Sequence, residues 1–394
     1  MGESASRPPP GRVLYVFART MRGQGLGLVA QHQVLALAEQ GWQVDLIARG
    51  GVESPRVHTP AWPRLPAQAI SWLRLDRNAK QDLRRRLFGA LGARALRSGR
   101  YDAVITWQGL GWKILPEARR LGCAGLLNCG NFPIVSGPED PNPKRAVWPG
   151  IESGLLRSEW NAPDVQLLVT SEHARRRFEQ AGCAAQRLHA IGRGMDPERF
   201  FPAPAPREGP FRVLFCGRLT RRKRIFRLLE LWRDAQLPDA ELWLCGPVPE
   251  RHRKRIESLA TPSVKILGYR PDVAEVMRQC DAQILLSSNE GQAKALLEGA
   301  ACGLVTIATR EAGFPFHLGD FGYEIPASDL SQARRALERL ASEPDARRIL
   351  AERSAKLARE HLTWAAFHGR FLAGFQTALA EHAAARPDSR SGLG

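Results

Sequence analysis

The sequence predicts an α/β protein of two doubly wound domains, on three observations. An apolar run at Arg12–Ala18, a glycine-rich loop Arg22-Gly-Gln-Gly-Leu-Gly27, a helix over Leu28–Gln40 stopped by Gly41, and a second apolar run at Gln43–Ala48 form a strand–loop–helix–strand unit. That is how a parallel sheet with covering helices begins. The same alternation restarts after a proline-rich break at 200–210. At 394 residues the chain is also longer than one hydrophobic core usually serves, so two domains are expected.

Further strands of the first domain fit Ala103–Thr106, Gly125–Asn128 and Gln166–Thr170, with helical segments between them. In the second domain, strands fit Arg212–Cys216, Glu241–Cys245, Val264–Leu267, Ala282–Leu286 and Val305–Ala308, with helices at Ile225–Ala235 and Ala293–Cys302. The expected division is a first domain over 11–199, a linker at 200–210, a second domain over 211–362, a helix over 363–385, and disordered ends at 1–10 and 386–394. Two Rossmann-like domains of this kind are expected to face each other across a cleft, where open α/β sheets bind ligands at the carboxyl ends of their strands.

A hydrophobic content of 44% with 25% charged residues is that of an ordinary globular protein. No apolar run reaches the length of a membrane-spanning helix, and the first ten residues have no signal-peptide core, so a cytoplasmic location is expected. The seven cysteines (Cys123, Cys129, Cys183, Cys216, Cys245, Cys280 and Cys302) include no C-x-x-C pair, which favours free thiols over disulfides or zinc ligands. A net charge of +17 calls for an anionic partner: nucleic acid, an acidic membrane surface or a phosphorylated substrate. The basic residues are scattered and no nucleic-acid-binding signature occurs, so nucleic acid is not expected.

The most informative stretch is Asn289-Glu-Gly-Gln-Ala-Lys-Ala-Leu-Leu-Glu-Gly-Ala-Ala-Cys-Gly303. Glu290 falls on the turn after a strand, and Glu298 about two turns along the following helix, on a nearby face. An E-x7-E pair alone fits a solvated helix as well; the strand–turn–helix setting is what points to one ligand held at two points. Upstream, Val213-Leu-Phe-Cys-Gly-Arg-Leu-Thr-Arg-Arg-Lys223 places Gly217 at a strand end, followed by Arg218 and Lys223 beside a helix N-terminus. Two cations there suit a diphosphate, although Arg221, Arg222 and Arg224 make a solvated basic turn an equal reading.

Together these motifs resemble the retaining glycosyltransferases of family 4, which have the GT-B fold, with a C-terminal helix crossing back to the first domain. In the second domain the family's order is followed through Gly217-Arg-Leu with Lys223, Leu242-Trp-Leu-Cys-Gly246, Val264–Tyr269, Asp281–Ser287, the Glu290 and Glu298 pair, and Ala300-Ala-Cys-Gly303. Ile191–Phe200 and Thr363-Trp364 also match, whereas in the first domain only Gly23, Gly25, Gly27 and His32 do.

The resemblance implies a nucleotide-sugar donor bound mostly by the second domain. Arg218 and Lys223 match the cations that hold its diphosphate, and Glu298 the carboxylate that accepts from the ribose hydroxyls. Glu290 matches the carboxylate near the transferred sugar. Gly268 and Tyr269 match the loop near the base, and Gly25 and Gly27 a loop that approaches the phosphates. The backbone N–H groups of Gly291, Gln292 and Ala293 are expected to face the sugar or phosphates. No metal or other cofactor is implied, since the two cations take a divalent ion's part. The implied reaction is glycosyl transfer with retention, to a glycan or lipid-linked acceptor, in polysaccharide or lipopolysaccharide synthesis. A sugar-nucleotide epimerase of the same fold and a non-catalytic basic binding protein are the competing readings.

One departure stands out. Many family members carry a histidine after a central first-domain strand, but here that loop reads Leu127-Asn-Cys-Gly-Asn-Phe-Pro-Ile134, and no histidine occurs between His58 and His173. Asn128, Asn131 or Phe132 is left for the place. The basic segment Leu73–Leu91, with Arg84, Arg85 and Arg86, fits either an anionic membrane surface or a helix packed on its own domain. Trp62, Trp72, Trp107 and Trp112 fit an acceptor site or a core.

Overall fold

The structure, a computed structural model, describes residues 11–21, 25–60, 69–130, 158–205 and 207–385. The expected disordered ends, Gly23, Trp62, Asn131 and Phe132 lie outside them. The chain forms two compact units: Met1–Thr170, Arg175–Ile191 and His368–Gly394 make one, Ser171–Ala174 and Gly192–Phe367 the other.

The first unit carries a seven-stranded parallel sheet in the order β3-β2-β1-β4-β5-β6-β7. Its strands are β1 Arg12–Phe17, β2 Gln43–Ala48, β3 Val57–His58, β4 Ala103–Trp107, β5 Ala124–Cys129, β6 Gln166–Val169 and β7 Leu188–Ala190. The central strands β4, β5 and β6 are buried along their whole length. Such strands need apolar residues on both faces, and this is why they read as unbroken hydrophobic runs. Helices α1 (Leu26–Glu39), α2 (Arg77–Ser98), α3 (Gly111–Leu121) and α4 (Glu172–Gln180) accompany the sheet. The basic helix α2 buries Phe88, Ala93 and Leu96 and packs on α3 and β1. Gly92 allows the approach, since a Cβ there would meet Ile114 Cδ1 at 2.7 Å. Of the tryptophans expected at an acceptor site, Trp107 is buried and Trp72 is exposed.

A closed polar network fills the middle of this unit. Tyr15 Oη donates to Gln33 Oε1 (2.5 Å) and accepts from Trp107 Nε1 (3.0 Å). Gln33 and Asn128 exchange amide hydrogen bonds at 2.8 and 3.1 Å. Asn128 is 2% exposed and both its amide atoms are engaged within the network, as an amide removed from water requires.

The second unit carries a six-stranded parallel sheet in the order β10-β9-β8-β11-β12-β13. Its strands are β8 Phe211–Cys216, β9 Ala240–Cys245, β10 Val264–Gly268, β11 Ala282–Leu285, β12 Val305–Thr309 and β13 Gly322–Ile325. Its helices are α5 Ile225–Ala235, α6 Glu250–Leu259, α7 Val273–Arg278, α8 Lys294–Ala301, α9 Ser331–Ser342 and α10 Pro344–His361.

The proline-rich stretch at 200–210, expected as the linker, lies inside this unit, and the chain changes unit at Ile191/Gly192 instead. Prolines deny the stretch regular structure but not contacts. Phe200 is buried in the second unit's core, and Arg207 pairs with Asp281 at 2.6 Å. The segment after the crossing is stitched to the start of the last helix: Met195 N–H donates to Leu362 O (2.8 Å) and Trp364 N–H to Met195 O (3.1 Å). Gly194 is required there, since a Cβ would fall 2.5 Å from Trp364 Cε3.

The last helix, α11 (Trp364–Ala384), belongs to the first unit from His368 onward. It is tied there by a 3.0 Å contact between His32 Nδ1 and His368 Nε2, by Trp42 packed edge-on against Phe375, and by Arg370 donating to Ile191 O (3.1 Å). His32, matched to the family's first helix, thus serves this seam. No helix of the described residues is long and apolar enough to cross a membrane.

Glu159 is 2% exposed and caps the N-terminus of α3. Its carboxylate accepts from Gly109 N–H at 3.1 and 2.9 Å and from Trp112 N–H at 3.0 Å. Burial pushes its carboxyl from the ordinary 4.5 up to about 7, against the N–H donors and Arg85, which act to lower it. A raised native value means that stability is full below the unfolded pKa and is lost as pH rises through the native one. Glu159→Gln removes this ionisation. Between about pH 5 and about pH 8, wild-type stability is expected to fall relative to the variant by on the order of 3 kcal/mol. Thermal unfolding midpoints that run parallel over that range would contradict this.

Candidate active site in the second unit

Three neighbouring strands of the second sheet each end in a glycine with positive φ: Gly217 (φ 137) after β8, Gly246 (φ 148) after β9 and Gly268 (φ 67) at the end of β10. Only glycine adopts the first two conformations at no steric cost. The strand ends are joined by backbone hydrogen bonds, Gly217 N–H to Cys245 O at 2.8 Å and Gly246 N–H to Gly268 O at 2.6 Å. A Cβ on Gly246 would lie 2.1 Å from the Gly217 carbonyl oxygen, and one on Gly217 would lie 2.5 Å from Lys223 Nζ. Bare backbone is therefore what lets the Lys223 ammonium settle over the end of β8. Gly246 was not among the predicted site residues, although it closes the Leu242–Gly246 motif.

Lys223 reaches this place through a short 3-10 turn, Arg221–Lys223, that leads into α5. Arg218 is exposed beside it and pairs with no carboxylate among the described residues. Gly268 has open space where a side chain would be, and Tyr269 after it is 63% exposed.

Glu290 lies between β11 and α8, as expected, but within a group of cations. Its Oε1 is 2.8 Å from Arg222 Nη1 and 3.6 Å from Lys223 Nζ, and Ser287 Oγ lies at 3.3 Å. Arg222 also donates to the Asn289 carbonyl, while its own carbonyl accepts from Ser288 N–H at 2.8 Å. Arg222 therefore ties the turn after β8 to the turn after β11. Burial pushes the Arg193 guanidinium below its ordinary value, and the Glu290 charge opposes that shift. Sequence reasoning missed both arginines. Arg222 was hidden in a run of basic residues, and Arg193 in the matched segment Ile191–Phe200.

Glu298 lies one turn into α8 and pairs with Lys294 at 2.7 Å. The first turn of α8 has no side-chain cap, but the expected row of three ligand-facing N–H groups is only partly there. Ala293 N–H is already bonded to Ala312 O at 3.0 Å, and Glu290 N–H to Glu311 O at 2.7 Å. Both bonds hold the turn against the segment after β12, which Gly313 allows to approach, since a Cβ there would meet Gly291 O at 2.7 Å. Ser171 Oγ donates to the same Gly291 carbonyl at 2.7 Å. Gln292 is buried, and neither end of its amide finds a partner within the described residues.

Of the predicted residues, the structure gathers Gly217 and Glu290 around the Lys223 ammonium and places Glu298, Gly291 and Gln292 on or next to α8. Arg218, Gly268 and Tyr269 line the same sheet edge, exposed or open. Gly25 (φ 74) and Gly27 belong to the first unit, at the start of α1, and a side chain on Gly25 would meet nothing within 4 Å. Among the described residues, no group of three or more His, Cys, Asp or Glu is placed to hold a metal ion.

Two parallel α/β units with a site at the carboxyl edge of the second sheet define a GT-B protein. Residues 196–357, which lie within the second unit, match the family model described as Glycosyl transferases group 1. An N-acetyl-alpha-D-glucosaminyl L-malate synthase of Bacillus anthracis is 32% identical over 121 residues, which are 29% of this chain and 32% of that protein. The match thus spans about a third of the length of that curated relative.

Solved structures show the fold over nearly the whole chain. The sucrose-phosphate synthase of Thermosynechococcus elongatus superposes with a TM-score of 0.71 at 19% identity, covering 94% of this chain and all of that one (100%). Anabaena HepE in complex with UDP gives 0.67 at 15% identity, over 93% and 100%. WaaG, a glycosyltransferase involved in lipopolysaccharide biosynthesis, gives 0.64 at 15% identity, over 91% and 98%.

The glycine contacts separate two substitutions that look alike in sequence. Gly246→Ala forces a Cβ into the Gly217 backbone and is expected to cost about 3 kcal/mol or more. Gly268→Ala meets open space in an ordinary left-handed conformation and is expected to cost about 1 kcal/mol. Urea denaturation of the two variants checks this, and equal midpoints would contradict it.

Proposed function

We propose that the protein is a retaining glycosyltransferase that moves a sugar from a nucleotide-sugar donor to a glycan or lipid-linked acceptor. The observation that carries this reading is the Lys223 ammonium over the bare end of β8, 3.6 Å from the Glu290 carboxylate. A site that offers a cation, bare backbone and a carboxylate together suits a diphosphate leaving group next to a centre that becomes positive.

In this reading Arg218 and Lys223 hold the donor diphosphate. They stabilise the charge that grows on it as the bond between the anomeric carbon and the phosphate oxygen breaks. The bond's electron pair leaves with that oxygen. The acceptor hydroxyl forms the new bond on the same face, and its proton passes to the departing phosphate oxygen, so the configuration is retained. Glu290 favours the oxocarbenium-like centre. Its neighbours Arg222 and Lys223 hold it in place, and they moderate its field. Glu298 accepts from the ribose hydroxyls, with Lys294 holding the carboxylate in place. The two diphosphate cations take a divalent ion's part, so the reaction is proposed to need no metal.

The Anabaena HepE structures contain UDP and UDP-glucose, which makes uridine nucleotides the first donors to try. WaaG supports an acceptor of the lipopolysaccharide or cell-surface polysaccharide kind. A cytoplasmic protein that visits the membrane surface fits such an acceptor.

The test is nucleotide binding and turnover. UDP or another nucleoside diphosphate is expected to raise the unfolding midpoint of the wild type, and Arg218→Ala and Glu298→Ala are each expected to weaken binding at least tenfold, as for a lost charged hydrogen bond. Glu290→Gln is expected to bind the nucleotide nearly as well but turn over roughly a hundredfold more slowly. No stabilisation by any nucleoside diphosphate, or release of an altered free sugar nucleotide without an acceptor, would sink the proposal. NMR of the product's anomeric proton decides retention.

A further inference from the structure

Two of the cysteines meet at the edge of the second sheet. Cys216 is the last residue of β8 and Cys245 the last of β9, and the two are partners in the parallel register of those strands. Both side chains pack in one apolar cluster with Leu214, Met277 and Leu297, so they share a face of the sheet. Both are free thiols, Cys245 buried and Cys216 half-buried. The residues that follow them are Gly217 and Gly246, whose backbone contact sets the turn that carries Lys223.

The two thiols act on each other directly. The Cys216 S–H donates to Cys245 and pulls its thiol below the ordinary value, against burial; the charge and the N–H of Arg270 help, and Asp272 opposes. The same hydrogen bond and burial push the Cys216 thiol up, with the charges of Cys245 and Glu298 adding and Lys223 opposing. Cys216 thus feels both the carboxylate assigned to the ribose and the ammonium assigned to the diphosphate. Burial instead raises the Cys129, Cys183, Cys280 and Cys302 thiols.

We propose that Cys216 and Cys245 are a peroxide-responsive dithiol whose disulfide loosens the donor edge of the second unit. That the edge takes a donor rests on the glycosyltransferase reading above; the dithiol itself does not. The Cys245 thiolate attacks one oxygen of hydrogen peroxide. The O–O bond breaks, and the leaving hydroxide takes up the proton lost from Cys245 as water. The Cys216 sulfur then attacks the sulfur of the resulting sulfenic acid. The S–O bond breaks, and the second hydroxide leaves as water with the Cys216 proton. The thiols give up two electrons between them, and peroxide is reduced to two waters.

The geometry allows the bond but strains it. Neighbouring strands run about 4.8 Å apart, within the roughly 4.4–6.8 Å over which a disulfide joins two Cα atoms. Its Cβ atoms come within about 3.8 Å of each other, so the bond draws the two strand ends together. One residue further on there is no room for this, since even a Cβ on Gly246 would lie 2.1 Å from Gly217 O. The strain passes into the turn after β8 and moves Lys223. A strained disulfide is also the more readily reduced, which makes the change reversible.

The experiment treats the full chain with hydrogen peroxide, blocks the remaining thiols with N-ethylmaleimide, maps disulfides by peptide mass spectrometry, and titrates the reduced and oxidised forms with UDP. A Cys216–Cys245 disulfide that dithiothreitol reverses is expected, with UDP binding roughly tenfold weaker in the oxidised form. Amide hydrogen exchange at Gly217 and Gly246 is expected to quicken roughly tenfold, a readout that needs no nucleotide. Cys216→Ser and Cys245→Ser are each expected to bind UDP as the reduced wild type does and to lose the response to peroxide. If either variant fails to fold, wild type taken through peroxide and then dithiothreitol supplies the comparison. Absence of a disulfide between these two residues overturns the proposal. So does a disulfide that leaves amide exchange unchanged, or that leaves UDP binding unchanged in a protein that binds UDP when reduced. Failure of the reduced protein to bind UDP counts against the donor reading, and the dithiol is then decided by the disulfide map and the amide exchange.

Discussion

The second unit depends on a backbone contact that leaves no room for a side chain. Gly246 presses against the carbonyl of Gly217 so closely that a Cβ would sit 2.1 Å from its oxygen. The N–H of Gly246 bonds to Gly268 and that of Gly217 to Cys245. The residue after β8 and the residue after β9 are thus each tied to the last residue of the neighbouring strand. The turn after β8 then starts from a fixed point, and Lys223 lies over bare backbone. The loop after β11 closes against it through the Arg222 carbonyl. Geometry of this kind is set by the main chain, so it does not depend on any one rotamer.

Charge completes what the backbone arranges. Glu290 has Arg222 and Lys223 within 4.0 Å, and Glu298 has Lys294 at 2.7 Å. Two carboxylates eight residues apart are thus in different electrostatic settings: Glu290 sits among cations at the sheet edge, whereas Glu298 has a helical neighbour one turn away. A ligand's diphosphate competes with Glu290 for Lys223, whereas a hydroxyl needs only a free lone pair on Glu298. In the proposed reading the two positions therefore take different parts of one donor molecule.

The fold was legible where burial on both faces forces long apolar runs, as in β4, β5, β8 and β12, and where glycine and proline mark the ends of helices such as α1. The two-residue β3 and three-residue β7 escaped notice because edge strands that short carry no periodicity. The proline-rich stretch misled for a different reason: composition reports the lack of regular structure, whereas the packing of Phe200 and the Arg207–Asp281 pair arise from tertiary contacts. In the site, Glu290, Glu298, Gly217 and Lys223 were legible as a spaced pattern. The engagement of the Ala293 N–H by Ala312, the locked amide of Asn128, and the approach of Arg193 and Arg222 to Glu290 were not. Each of these depends on residues distant in sequence, and a basic run reads the same whether its members face water or a carboxylate.

The net charge of +17 acquires a different meaning once its placement is known. Much of it is spent locally. On the outer faces of helices, arginines pair with acids three or four residues away, as Arg227 does with Glu230, Arg339 with Glu343 and Arg348 with Glu352. At physiological ionic strength such pairs are screened within about 8 Å and steer nothing. Arg218 differs from them: it is exposed at the carboxyl edge of the second sheet and pairs with no carboxylate among the described residues. In the proposed reading an anionic donor is drawn to that edge, without any overall basic surface being needed.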